Sequence, residues 1–422
     1  MKTVHDVAAY QLCCGCGVCA YLHSEQIKMV DVPDSGRRPV SILSDNDRFT
    51  SDFELQSFCP GIALTSRHNN NALSELINFA SDAWGGVLEV FEGHAADSEI
   101  RYKGSSGGAI SALALYCLEQ EKMQGVLHTK ADEHAPYLNI TSMSHNRDDI
   151  LVATGSRYSP ASPCEQLIRI ENAQGSSVFI GKPCDVAAVE KARTLKPELD
   201  KKIGLTIACF CAGTPSTKGT LEMLGQLGVI DKNRLKKLRY RGCGWPGMTT
   251  ASHQQHDEVE TVDSEMSYQQ SWGKILQKFR PWRCYICPDH TGEFADIAVG
   301  DPWYKEIESD SAGRSLILVR SRKGREILHQ AIDAGYLLAE KVSPEIVPAS
   351  QPNLLKARAA LWGRLVTLKN MGAPCPKYLN TPLFSLWVKE LSTKEKAQSI
   401  YGTVKRVYTK QLKKKQNLFK NS

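Results

Sequence analysis

No stretch of this 422-residue chain approaches the roughly 20 uninterrupted apolar residues that a membrane-spanning helix needs. The opening residues, MKTVHDVAAYQLCCGCG, hold neither an apolar core nor a cleavage site of secretory type. There is no internal repeat and no long low-complexity segment, so neither a solenoid nor a largely disordered chain is expected. From Lys405 onward Asp and Glu are missing altogether. These absences predict a cytoplasmic protein without a transmembrane segment, a setting in which disulfides are disfavoured.

The net charge of +6 is concentrated in that tail, on Lys405, Arg406, Lys410, Lys413, Lys414, Lys415 and Lys420, which leaves the body near neutral. Such a tail could meet an acidic membrane surface, a nucleic acid or an acidic electron-donor protein. The plainer reading, a solvated and partly frayed C-terminal helix, is preferred. The near-neutral body argues against a nucleic-acid-binding function.

What the chain does have is cysteine, fourteen in all, several in tight clusters beside Gly and Pro. In a reducing compartment that pattern points to metal ligands. Cys13, Cys16 and Cys19 follow C-x-x-C-x-x-C, interleaved with Gly15 and Gly17, and Cys59 is followed at once by Pro60. A 4Fe–4S cluster needs four converging thiolates, three from such a loop and one from a distant cysteine next to Pro. Glycines let the loop turn tightly and aim N–H groups at sulfur. Zinc is the rival occupant, but it more often uses two separate C-x-x-C pairs. Cys14 breaks the spacing and reads as a bystander or a substitute for Cys13. A second set is dispersed: Cys184 in GKPCD, Cys211 in ACFCAG, and Cys284 and Cys287 in RCYICPD. Strand ends in an α/β sheet converge on a crevice, so these four can meet. Cys209 shares a strand face with Cys211, and Cys243 is a spare, so pattern alone leaves the ligands open. Cys117, Cys164 and Cys375 read as packing or incidental thiols.

Between residues 84 and 345 apolar runs alternate with amphipathic helical patterns. GGVLEVFEG, QGVLHTKA, SSVFIG, KIGLTIACF, FADIAVG and RSLILV predict strands. SGGAISALALYCLEQ, DVAAVEKARTLK and REILHQAIDAG predict helices. The fold class is mixed α/β or α+β. A ferredoxin-like segment spans 1–65, a mixed-sheet core, which the resemblance given below makes flavin-binding, has halves at 80–165 and 166–345, and a helical, basic extension covers 346–422, with a polar spacer, SRHNNN, after the first segment. Ser105, Ser106, Gly107 and Gly108 open a helix, where free N–H groups and the helix dipole suit a phosphate or a flavin edge. An ordinary serine cap is the competing reading. Asp296 and Asp301, in ADIAVGD, are either proton-handling groups or caps of turns, the latter preferred.

Taken together, CCGCGVC with FCPG, RYKGSSGGAISALALYCLE, TGSRYSPA, GKPCDVAAVEKA, GLTIACFCAGTPS, RYRGCGWPG and RCYICPDHTGEFADIAVGDPW resemble one family. It is the beta subunit family of coenzyme F420 (deazaflavin) hydrogenases and dehydrogenases, which also contains ferredoxin-dependent chlorophyll-pathway reductases. The resemblance covers about residues 10 to 325. It implies an iron–sulfur flavoprotein oxidoreductase with FAD in the core beside a 4Fe–4S cluster, and a second, N-terminal cluster. It favours Cys184, Cys211, Cys284 and Cys287 as core ligands. It also places Ser105 to Gly108 at the flavin, together with Ser156, Tyr158, Lys182 and Arg241. A ferredoxin-like donor and a small-molecule or deazaflavin acceptor are implied, and the rival is a non-catalytic electron-transfer subunit of a larger redox complex. The extension after residue 345 looks similar to a bacterial subgroup associated with cell-surface polysaccharide genes. No catalytic residue is assigned.

Overall fold

The computed structural model describes residues 1–42, 54–66, 83–254, 260–307 and 311–418. The polar spacer after Ser66 and the tail residue Lys420 lie outside them.

The strand-forming runs assemble into one eight-stranded mixed sheet. Its order is Leu337–Lys341, Glu89–Ala95, Ser315–Val319, Ile297–Gly300, Ile203–Cys209, Ser177–Gly181, Val126–Ala131, Asn139–Ser144. The four strands from Ile297–Gly300 to Val126–Ala131 run parallel, and the outer pairings are antiparallel. This is the mixed α/β class read from the sequence. The sheet draws strands from both predicted halves of the core.

Side chains on a strand alternate between faces. Leu316 and Leu318 accordingly join one hydrophobic cluster, while Ile317 and Val319 join another on the opposite side. A strand buried on both faces reads as a continuous apolar run rather than an alternating one, which is why SLILV is so plain in the sequence. The helices Ala109–Glu119 and Arg322–Asp333 cover one face; Pro183–Leu195 and the N-terminal segment cover the other. A separate antiparallel sheet of Leu235–Arg239, Met248–Gln254 and Thr261–Ser267 lies over its own cluster.

The N-terminal segment holds short helices Val4–Ala9 and Val18–Leu22 and a hairpin of Ile27–Val32 with Gly36–Ser41. It is tied to the far end of the chain. Lys377–Leu379 pairs in parallel with Ala63–Thr65, and the Gln416 N–H donates to the Ala9 carbonyl at 2.8 Å. The basic tail is therefore not a frayed helix. After Thr393–Thr409 its backbone docks on the first helix, with Lys415 on Asp6 at 2.6 Å, while Lys413 and Lys414 stay exposed. Among the described residues no helix is long and apolar enough to cross a membrane.

Candidate functional site

The first cysteine set is shaped by two glycines in the left-handed region, Gly15 at φ 75° and Gly17 at φ 88°. The turn at Gly15 lets its N–H donate to the Cys13 Sγ at 3.3 Å. Gly17 has a second reason to be glycine: a Cβ there would lie 2.8 Å from the Glu165 nitrogen. Cys13, Cys16, Cys19 and Cys59 are close enough to act on one another electrostatically. Burial, and then the neighbouring Cys16 and Cys13, push the Cys59 thiol up to about 12. Cys164 takes the packing role, one of the two readings open to it in the sequence. It is fully buried, its N–H donates to the Cys16 carbonyl at 3.0 Å, and its thiol touches that of Cys16.

Cys184, Cys211, Cys284 and Cys287 converge at the carboxyl ends of the parallel strands, around a cavity of about 50 Å³. Cys184 follows the Ser177–Gly181 strand and Cys211 follows Ile203–Cys209. Burial raises the Cys211 thiol well above its ordinary value, and Cys184 and Cys284 add to the rise. Burial pushes Cys287 up to about 12, against the opposing charge of Arg283. Cys14, which breaks the spacing of the first set, stands beside the second. It lines this second cavity, as Cys13 does, and hydrogen-bonds with Cys184. Cys209 bonds the Gly181 carbonyl at 3.5 Å, and Cys243 lies elsewhere, against Arg239 at 3.0 Å.

Thiols held this high stay protonated unless a cation beside them stabilises the thiolate, which bound iron does. Among the described residues no three His, Cys, Asp or Glu side chains close on a single ion. Four irons and four sulfides hold their thiolates further apart than the ~3.8 Å set by a zinc–sulfur bond of ~2.3 Å. Each set offers four clustered thiols, the donor type that such a group takes.

A second cavity, of about 320 Å³, shares Ala161, Lys182, Cys211 and Thr214 with the cysteine-lined one. That volume lies within the range of small-molecule sites. Ser105, Ser106, Gly108, Ser156, Tyr158, Lys182 and Arg241 all line it, and Gly107 stands one residue behind. Helix Ala109–Glu119 starts there at Gly108, φ 73°, with no side chain capping it, so the serines are not ordinary caps. Its leading N–H groups and positive dipole end are free for an anion. Ser105 works as a brace: its Oγ accepts the Ser156 N–H at 2.6 Å, and its carbonyl accepts Arg241 Nη2 at 2.6 Å. Lys182 is held by Asp185 at 2.6 Å; burial alone would lower its ammonium, but Asp185 and Cys184 keep it well above the ordinary value.

Sequence reasoning missed the aromatic wall. Trp303 stacks on Tyr268 at 5.5 Å and on Trp245 at 5.2 Å, and Trp272 stands 4.9 Å from Tyr158. Tyr268, Trp272 and Trp303 line the cavity. The signal was in SYQQSW and DPW, aromatics set in otherwise polar stretches. Gln351, from the extension, also reaches the wall and donates to the Asp301 carbonyl at 2.6 Å. Asp296 has only a structural part, accepting from Thr206 and Ser321.

Residues 90–169 match the family model for coenzyme F420 hydrogenase/dehydrogenase, beta subunit N-term, and residues 175–345 match the one for its C terminus. The two take in more than half of the chain. The chain belongs to this family. It is 28% identical over 262 residues to the F420-dependent formate dehydrogenase 1 subunit beta of Methanococcus maripaludis, a match over 61% of this chain and 62% of that subunit. It is 24% identical over 306 residues to the coenzyme F420 hydrogenase subunit beta of Methanococcus voltae, over 69% of this chain and 99% of that one. A chain of the F420-reducing [NiFe] hydrogenase complex from Methanosarcina barkeri has the same fold, with a TM-score of 0.53 at 20% identity, covering 71% of this chain and 98% of that chain. The N-terminal cysteine segment and the extension past residue 345 lie outside both family models.

Proposed function

We propose that this family member is an iron–sulfur flavoprotein oxidoreductase. It would take single electrons from a ferredoxin-like donor and deliver pairs to a small-molecule or deazaflavin acceptor. The observation that carries the reading is the wall shared by the two cavities, in which Cys211 and Lys182 belong to both. When bound, 4Fe–4S clusters handle single electrons and a flavin, FAD in this reading, handles pairs. Cys13, Cys16, Cys19 and Cys59 would hold the first cluster; Cys184, Cys211, Cys284 and Cys287 would hold the second.

The residues of the larger cavity bind and orient. The helix start at Gly108 offers its N–H groups to a phosphate or to the electron-rich edge of a ring. Lys182 places a fixed positive charge between the cavities. Arg241 and Asp301 hold the Ser105 turn and the aromatic wall in register, and Tyr268 and Trp303 offer flat faces to a planar ligand.

Cofactor content of protein purified without oxygen tests the reading. About eight irons, matching sulfide and one flavin per chain are expected. Cys16→Ala and Cys287→Ala should each remove about half of the iron. Zinc in place of iron, with no flavin, would sink it.

The relatives' names favour a second reading, a subunit with no chemistry of its own inside a larger complex. Stable co-purification with a hydrogenase- or dehydrogenase-type partner, and no turnover with the isolated chain, would establish it.

A further inference from the structure

Two buried arginines stand where the cysteine sets meet. Arg38, on the Gly36–Ser41 strand, is 4% exposed, and Arg283, immediately before Cys284, is 3% exposed. Both line the cavity that Cys13, Cys14 and Cys184 share. Arg283 spans the two cysteine loops. Its Nη2 donates to the carbonyl of Pro60, next to Cys59, at 3.1 Å, and its Nη1 to the carbonyl of Ile286, next to Cys287, at 3.3 Å. Arg38 lies against the first loop: its Nη1 is 3.5 Å from where a Cβ on Gly15 would stand, and donates to the Arg37 carbonyl at 2.7 Å.

Neither guanidinium is accounted for by these bonds. The Nε of each is buried without a hydrogen-bond partner, and neither forms an ion pair, among the described residues. A guanidinium does not shed its proton to escape burial. Arg283 also lies 5.9 Å from the centre of the Tyr378 ring, but a buried charge with no opposite charge beside it, and with a donor left unpaired, remains costly. Two such residues, on separate elements and lining one small cavity, call for an anion in that cavity.

We propose that Arg38 and Arg283 are counter-charges and hydrogen-bond donors to cluster sulfur, Arg38 at the first site and Arg283 in the wall between the two. This rests on the two-cluster reading above. Each electron arriving from a one-electron donor makes a cluster more negative by one charge, and passing it on restores the charge, with no proton required. A fixed cation and an N–H···S bond stabilise the more negative state and so raise the reduction potential. Arg283, shared by both walls, also offsets the repulsion between two neighbouring negative centres. Both can then hold an electron at once, so that the pair a flavin collects can follow in quick succession.

The test is a potentiometric titration of the reconstituted full chain, followed by electron paramagnetic resonance, for the parent, Arg38→Gln, Arg283→Gln and Arg283→Lys. Iron and sulfide are counted on each sample. With iron retained, Arg38→Gln should move one cluster to a more negative potential and Arg283→Gln should move both. Arg283→Lys, which keeps the charge but loses the fork, should fall between parent and Gln. Variants that titrate at the parent's potentials would overturn the proposal. So would loss of iron from Arg283→Gln while Arg38→Gln titrates as the parent, since Arg283 would then be a structural plug. A parent chain with only about four irons fails at the earlier step, removing the two-cluster reading and this inference together.

Discussion

Arg241 grips Asp301 with two parallel hydrogen bonds, Nη2 to Oδ1 at 2.7 Å and Nη1 to Oδ2 at 3.0 Å. The same guanidinium donates from Nε to the Pro246 carbonyl at 2.8 Å and lies 4.9 Å from the Tyr268 ring centre. Trp245 adds an indole N–H to Asp301 at 2.8 Å. A bidentate Arg–carboxylate pair fixes direction as well as distance. Here it locks the serine turn, the strand end and the aromatic wall into one frame.

Asp301→Ala should therefore loosen the whole cavity. Arg241 is 2% exposed, and a buried charge stripped of its partner costs about 3–5 kcal/mol. Thermal melting should show the loss, and flavin retained through gel filtration should fall well below one per chain. Asp301→Asn, which keeps one acceptor, should be milder on both measures.

Gly108→Ala should act at the turn alone. Its φ of 73° disfavours any L side chain, and an added Cβ would stand 2.6 Å from the Ile100 carbonyl oxygen. Strain of about 1–3 kcal/mol is expected. Flavin affinity should drop while iron content stays at the parent's value, which cofactor analysis of one sample can establish.

The placement of Cys14 gives a sharper contrast. Cys14→Ala should keep about eight irons, because the four dispersed cysteines suffice for the core cluster, but should alter that cluster's resonance spectrum through the lost contact with Cys184. Cys184→Ala should drop to about four. Equal loss from both variants would make Cys14 a ligand.

Glu293 and Arg358 form a pair at 3.3 Å whose side chains are each 4% exposed. Burial alone would raise the Glu293 carboxyl, but Arg358, Ser66 and Arg320 outweigh it and hold it below the ordinary carboxylate range. Its contribution is whole above the unfolded value of about 4.3 and is lost as pH falls through the lower folded value. Glu293→Gln should cost about 3–5 kcal/mol in denaturant unfolding at neutral pH. The gap from the parent should narrow as the acid side is approached.

The central strands were legible because burial on both faces leaves no room for polar residues, as in SLILV and SVFIG. The edge strand Asn139–Ser144 and the strand Thr261–Ser267 were not. Neither is buried along its length, so NITSMS and TVDSEMS carry no apolar run to mark them. The grouping of the cysteines was half legible. Spacing along the chain picks out Cys13, Cys16 and Cys19, but the side to which Cys14 points depends on backbone direction at one step. That Cys164 meets Cys16 depends on a contact between segments far apart in sequence. Arg38 and Arg283 were invisible for a similar reason: an arginine in a hairpin or beside a cysteine reads as a surface residue until its burial is seen.

Ala63–Thr65 is stitched to Lys377–Leu379, Tyr378 donates to the Ile286 carbonyl at 2.6 Å, and Gln416 reaches back to Ala9. The ribosome adds those closing residues long after Cys13 and Cys59 have emerged. If the first set holds a cluster as proposed, a chain cut before Lys377 loses these ties and should keep less iron at Cys13, Cys16, Cys19 and Cys59 than the full chain does.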